Sequence, residues 1–332
     1  MSMLQKMALL IPPVRRLHQS RAALLEERSA LSWQLQNVAS SPFYHYQSCF
    51  DAQAIMHRHA VPGLKPNPGY LTNFLGVAID PKFFPEILQG RAGEVEAIPI
   101  PANWHADIAE WAAALRAVEL ANGQFTMIEL GCGWGCWMNN AGMAARRAGL
   151  KTTVIGVEGD KGHIAFARES TATNGFEAAS VTLHHGIAAA SAGTALFPRQ
   201  QQAGVAWGLE PIFHATRPEI DKAVSAGSHD ELPMVPLETL VGTHRRIDLL
   251  HIDIQGGEAD LIADCLALLR ERVAYILVGT HSRQIEGRII GLLLQAGWLL
   301  EIERPAILSL AGEHPIVTVD GVQGWRNPGL LP

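Results

Sequence analysis

From about residue 104 onward, short apolar runs alternate with stretches whose apolar positions recur every three or four residues. The first pattern is that of a buried strand, the second that of an amphipathic helix. Trp104, Ile108, Trp111, Ala112, Leu115 and Val118 predict a helix over 104–121. Strands are predicted at Phe125–Leu130, Thr152–Glu158, Ser180–His185, Ile247–Asp253 and Ala274–Thr280. Helices are predicted over 137–148, 161–174, 257–270 and 283–296. Two more runs, Trp298–Glu303 and Ile316–Val322, close the set at seven strands. Such alternation predicts an α/β fold, a doubly wound and mostly parallel sheet covered by helices on both faces. The stretch 187–245 is longer than a normal connection and is expected to be a functional loop in the substrate wall.

The first hundred residues read differently. Leu17, Leu24 and Leu31 stand at a heptad interval in a helix expected over 14–38, either a surface helix or one that joins a homodimer. Residues 41 to about 100 are rich in proline, glycine and aromatics, yet apolar residues recur between the breakers. They predict an ordered cap with short turns and not a flexible linker. The expected organisation is an N-terminal helix at 1–40, a cap or wrapping region at 41–115 and the main domain at 116–332.

The main domain turns on Thr126-Met-Ile-Glu-Leu-Gly-Cys-Gly-Trp-Gly-Cys136. A strand ends in an acid, Glu129, and breaks into glycines at 131, 133 and 135 before a helix begins. Strand, glycine turn and helix together open a nucleotide-type pocket at the carboxyl ends of a parallel sheet. A dinucleotide fingerprint would want glycine at 136, which is cysteine, and a phosphate-binding Walker loop would want lysine, which is absent here. The remaining pattern, E-x-G-x-G-x-G, resembles motif I of class I S-adenosylmethionine methyltransferases.

Composition narrows the class only a little. The chain has 332 residues, 48% hydrophobic and 17% charged, with a net charge of -6. That balance argues against a general nucleic-acid binder. Cysteines 49, 132, 136 and 265 are too few and scattered for a disulfide framework and fit a reducing, cytoplasmic setting. Cys132 and Cys136 lack metal-ligand spacing and read as small pocket-lining residues. The apolar stretch Met7–Ile11 stops at two prolines, too short to span a membrane.

Glu158 ends the second strand, where a carboxylate accepts hydrogen bonds from both ribose hydroxyls of an adenosine group. Past the third strand, Gly186 and Ile187 stand where the adenine ring would lie. Asp253 ends the fourth strand, beside the expected methyl group, and Glu258 follows in the first helical turn. Ile252-Asp-Ile-Gln-Gly-Gly-Glu258 resembles the I-D-[IV]-[EQ]-G-x-E segment of FkbM-type methyltransferases. Pro236-Leu-Glu-Thr-Leu240, Gly279-Thr-His-Ser282 and Gly297-Trp298 are similar too, so the resemblance covers roughly residues 120–305. Gln255 departs from it, since many members have glutamate there.

The resemblance implies the Rossmann-like methyltransferase sheet, S-adenosyl-L-methionine as cofactor, and O-methylation of a sugar, glycolipid or polyketide hydroxyl. It places Glu129, Gly131, Cys132, Gly133, Trp134, Gly135, Glu158, Gly159, Gly186, Ile187 and Asp253 at the cofactor. Asp253 is then the first candidate for base or acceptor-orienting group. His281 is the second, with an ordinary pKa suited to proton uptake near neutrality. No metal is expected, a divalent ion on Asp253, Glu258 and His281 being the lesser alternative. The partner is a small-molecule or glycan acceptor, with no nucleic acid and no membrane span. Rival readings are an NAD-dependent oxidoreductase or sugar-nucleotide enzyme, disfavoured by the missing third glycine, and a catalytically idle binding protein.

Overall fold

Each long apolar run becomes a strand of one sheet. The computed structural model describes Ser20, Leu24, residues 41–312 and residues 314–331. The helix expected over 14–38 therefore lies, apart from those two residues, outside the described part. Two units are present, one ending at His45 and one beginning at Tyr46. The second holds all the elements named below.

Ahead of the main alternation come strands β1 (Gln47–Ser48), β2 (Leu71–Thr72) and β3 (Ala78–Ile79), with helices α1 (Ala52–His59), α2 (Pro85–Leu88) and α3 (Ile108–Leu120). Then follow β4 (Gln124–Leu130), α4 (Cys136–Arg147), β5 (Lys151–Glu158), α5 (Lys161–Thr173) and β6 (Val181–His185). After an insertion come β10 (Leu249–Ile252), α8 (Glu258–Arg272), β11 (Tyr275–Thr280), α9 (Arg283–Gln295) and β12 (Leu299–Arg304). The insertion itself contains β7 (Ile187–Ala189), β8 (Gly193–Pro198), α6 (Arg217–Ser225), β9 (His229–Pro236) and α7 (Leu237–Val241). The chain closes with β13 (Ile307–Ser309), β14 (Ile316–Val319) and β15 (Gly321–Arg326).

The sheet has eight strands in the order β1-β12-β15-β11-β10-β4-β5-β6. The five strands from β11 to β6 are mutually parallel, while β15 runs antiparallel to both β11 and β12. From β4 the chain steps outward through β5 and β6, then returns to the other flank at β10. The crevice between the carboxyl ends of β4 and β10 is the topological switch point, where open α/β sheets bind ligands. Both β10 and β11 are buried along their whole length, as strands covered on two faces must be. One apolar core joins α3 and α4 to the sheet, and a second joins α7, α8 and α9 to its other face.

Three expectations change. The last sheet strand is Gly321–Arg326, not Ile316–Val322. Ile316–Val319 instead pairs with β13 in a separate hairpin. Gly324 explains why an unpromising sequence takes that place: a Cβ there would lie 2.6 Å from Ile302 and 2.8 Å from the Tyr275 hydroxyl. An eighth strand, β1, also pairs antiparallel with β12 at the sheet edge. Finally, the stretch expected as a loop over 187–245 contains a three-stranded sheet, β7-β9-β8, and two helices.

Residues 46–107 pack on this framework. Leu71, Phe74, Leu75 and Val77 are buried in the same core as α3 and α4, and Phe74 meets the Trp111 ring edge-on at 5.1 Å. Asn73 donates to the Asn140 side chain at 2.7 Å in the buried interior. Asp107 caps α3, accepting from the amides of Ala109 and Glu110, and also pairs with Arg304.

Candidate active site

A cleft of about 970 Å³ opens at the switch point. Its floor is the loop from Gly131 to Gly135. Gly131 has φ +75, and a Cβ on it would run into the Asp253 carbonyl oxygen. The loops leaving β4 and β10 therefore touch, and only glycine allows it. Gly133 has φ +51, and a Cβ there would come within 2.9 Å of the Trp207 ring.

Glu129 and Glu158 shape this loop from below. The Glu129 carboxylate accepts from the amides of Trp137 at 3.0 Å and Met138 at 2.8 Å, in the first turn of α4. It does the work of an N-cap that Gly135 has no side chain to do. Burial pushes its carboxyl up to about 8, against the pull of those two amides. Glu158 accepts from the Gly133 amide at 2.9 Å and the Asp160 amide at 2.7 Å. Burial raises it to about 7. Both acids border the cleft, as do Cys132, Trp134, Gly159, Gly186 and Ile187. At Gly186, however, the missing Cβ answers to packing, since it would sit 2.6 Å from the Pro233 carbonyl oxygen.

Asp253 lines the cleft and is linked to two side chains that do not, His281 and Glu258. His281 approaches Asp253 through Nε2 at 3.3 Å and Glu258 through Nδ1 at 3.0 Å. Glu258 is fully buried and also accepts from the amides of Ile254 and Gly256, which folds the 253–258 turn around it. Gln255 sits in that turn at φ +57 and donates to Asp253 at 3.1 Å. A non-glycine residue held in this region is a mark of functional sites. Burial acts to lower the His281 pKa, but hydrogen bonds to Asp253 and Glu258 carry it up to about 10. Burial likewise acts to raise Asp253, yet the His281 hydrogen bond and charge hold it below the ordinary carboxylate value. Its side chain keeps 42% of its surface open, which also favours the ionised form.

The pKa expected for His281 therefore changes: between two carboxylates it is an imidazolium, not a free base. The stability it contributes is full below its unfolded value of about 6.5. That contribution is lost as pH rises through about 10. NMR of the histidine side chains should show His281 protonated across the neutral range, and a midpoint near its ordinary value would break the three-residue link. Asp253, Glu258 and His281 could each offer one atom to a metal, all within 4.8 Å of one another. The imidazolium already supplies positive charge at that point.

Four histidines line the cleft, His105, His163, His214 and His251, and burial pushes His105 and His251 down to about 4, which keeps both neutral. His251 projects from β10, and its Nδ1 is buried with no hydrogen-bond partner. His105 touches the Cys136 thiol and lies among Trp104, Trp111, Trp134 and Trp137. Sequence reasoning passed over His105, which precedes the helix cap and carries no motif of its own. Trp207, missed as well, comes from the segment between β8 and α6. Its ring stacks on Phe84 at 4.1 Å and on His163 at 3.9 Å, closing the cleft above Gly133.

A doubly wound sheet with an acid-flanked glycine loop at its switch point defines a nucleoside-binding α/β protein. A protein of Jannaschia sp. (strain CCS1) named "Putative methyltransferase" is 47% identical over 276 residues, covering 83% of this chain and 98% of that one. The chain belongs to the methyltransferase family. No family model matches it. Among solved structures, methyltransferase FkbM from Methylobacillus flagellatus KT gives a TM-score of 0.41 at 11% identity, covering 64% of this chain and 53% of that one. M. capricolum TrmK, solved with S-adenosyl-homocysteine, gives 0.34 at 8% identity over 64% and 67% of the two chains. Neither likeness bears on the substrate.

With membership of the methyltransferase family goes the cofactor, S-adenosyl-L-methionine. The cleft suits it: glycines leave the loop bare, a buried carboxylate stands at Glu158, and the Trp134 indole N–H is buried without a partner. No helix among the described residues is long and apolar enough to cross a membrane.

Proposed function

We propose that this methyltransferase is FkbM-like and methylates a hydroxyl on a sugar, glycolipid or polyketide-type small molecule. The carrying observation is Asp253, an ionised carboxylate at the end of β10, opposite the glycine loop and open to the cleft. The Ile252–Glu258 segment, folded around Glu258, supports the family reading. The loop 131–135 would hold the amino-acid tail of the cofactor, Glu158 the ribose, and Gly159, Gly186 and Ile187 the adenine side. Residues 41–115 would act as the cap over this site. The four cysteines are free, in keeping with a reducing cytoplasm.

When bound, S-adenosyl-L-methionine supplies a methyl on a sulfonium, and a neutral thioether leaves as the carbon bonds to the acceptor oxygen. Asp253 accepts a hydrogen bond from the acceptor hydroxyl and so aims an oxygen lone pair along the line of transfer. An oxygen gaining a methyl becomes far more acidic than any carboxyl, so a carboxylate with a low pKa can still take the proton. His281 and Gln255 hold Asp253 in place, and the aromatic wall excludes water.

Methyl-labelled S-adenosyl-L-methionine mixed with fractionated cell extract should label a small molecule at oxygen. Asp253→Asn should cut that labelling by roughly 10²-fold or more while S-adenosylhomocysteine affinity is kept. An equally active variant would remove Asp253 from the reaction, and calorimetry showing NAD bound in preference would remove the whole reading.

A further inference from the structure

The charges of the cleft point to the acceptor's own charge. Glu129, Glu158 and Asp253 border the cleft from within, and Glu210, Asp260, Asp264 and Asp320 border it nearer solvent. Among the described residues, no lysine or arginine lines it. Three cationic side chains close to these acids are already engaged. His281 lies between Asp253 and Glu258, Arg288 pairs with Asp260 at 2.5 Å, and Arg304 pairs with Asp107 and donates to the Asp320 carbonyl. The outer acids come from three separate elements: the segment after β8, helix α8 and the turn before β15. Burial holds Glu129 near 8 and Glu158 near 7, so the negative charge at this opening is carried by the acids nearer solvent.

The cofactor does not use up that field. It brings two positive groups and one negative, while Glu158 and the glycine loop serve its nucleoside and tail. The aromatic wall adds to the same preference. Phe84, Trp134, Trp137 and Trp207 border the cleft, and aromatic faces attract cations. The His251 Nδ1 and the Trp134 Nε1, both buried on cleft-lining residues, have no partner, which marks polar positions that a ligand can fill.

We infer that the acceptor is a cationic alcohol, an amine-bearing polyol such as an amino sugar, and not a phosphorylated or nucleotide-bearing molecule. The inference rests on the O-methyl reading above and names its substrate class. A phosphate or nucleic-acid acceptor would need Lys or Arg to neutralise it. An amine placed among carboxylates stays protonated, which keeps its nitrogen from attacking and leaves the neighbouring hydroxyl as nucleophile. In the transfer, a C–O bond forms as the C–S bond breaks, sulfur keeps the electron pair, and the hydroxyl proton passes to Asp253.

The test uses the full chain saturated with S-adenosylhomocysteine and a matched set of probes: glucosamine, glucose and glucose 6-phosphate. Calorimetry should show glucosamine bound roughly tenfold tighter than glucose, the low end of what a cleft of one charge sign achieves, with no binding of the phosphate. The advantage should shrink with added salt and in the double variant Glu210→Gln, Asp264→Asn, in which S-adenosylhomocysteine affinity is unchanged. Equal binding of glucosamine and glucose, no binding of any probe at millimolar concentration, or preference for the phosphate would overturn the inference and leave the methyl-transfer reading standing. Failure of S-adenosylhomocysteine itself to bind would bring down both.

Discussion

Replacing Gly131 with alanine is expected to lower the unfolding free energy by about 3 kcal/mol or more, large for a single methyl. Two penalties add at this position. The backbone is left-handed, at φ +75, which an alanine adopts only with strain. The new methyl would also meet the Asp253 carbonyl, which has no room to retreat. Asp253 donates its own amide to Leu130 at 3.1 Å, and Ile252 beside it is in register with Leu130 across the sheet. Gly149 is the control, because it has φ +78 but nothing within 4 Å of an added Cβ. Gly149→Ala should lose only about 1 kcal/mol, the conformational part alone. Urea denaturation of both variants measures the difference, and equal losses would mean that the two loops part easily.

Glu158→Gln should weaken S-adenosylhomocysteine binding by about two orders of magnitude. Hydrogen bonds to a charged group are worth about 1.5–3 kcal/mol each, and a ribose offers two hydroxyl donors. The amide swap also turns one acceptor into a donor facing the amide of Gly133 or Asp160. A pH series separates these effects. Burial holds the free carboxyl near 7, and hydroxyl donors favour its ionised form. Wild-type affinity should therefore be flat above about 7 and fall as pH drops through that value. The variant should be weak throughout and lack this dependence. Calorimetry that found undiminished affinity would move the ribose elsewhere.

Much of this was legible in the sequence because buried parallel strands advertise themselves. Leu249–Ile252 and Tyr275–Thr280 are apolar runs that no surface element would carry. The glycine loop was readable for a related reason, since closely spaced glycines after an acid-ending strand have few structural uses. What stayed hidden depends on neighbours distant in sequence. Gly321–Arg326 lacks a strand's composition, and its glycines make sense only against Ile302 and Tyr275. His281 looked like an ordinary titrating histidine because its two carboxylate partners become adjacent only in the folded turn. His105 and Trp207 reach the cleft from segments without periodicity, so nothing in their local sequence announced them.

The pairing of β1 with β12 governs where the chain can be trimmed. A shortened form starting near residue 104, chosen to match the recognisable family core, would strip the cover from an outer strand and leave its backbone groups free to recruit another molecule. It would also bare the side of α3 that α1 and Phe74 now shield. Aggregation of such a fragment would therefore report a torn boundary and say nothing about whether the core can fold.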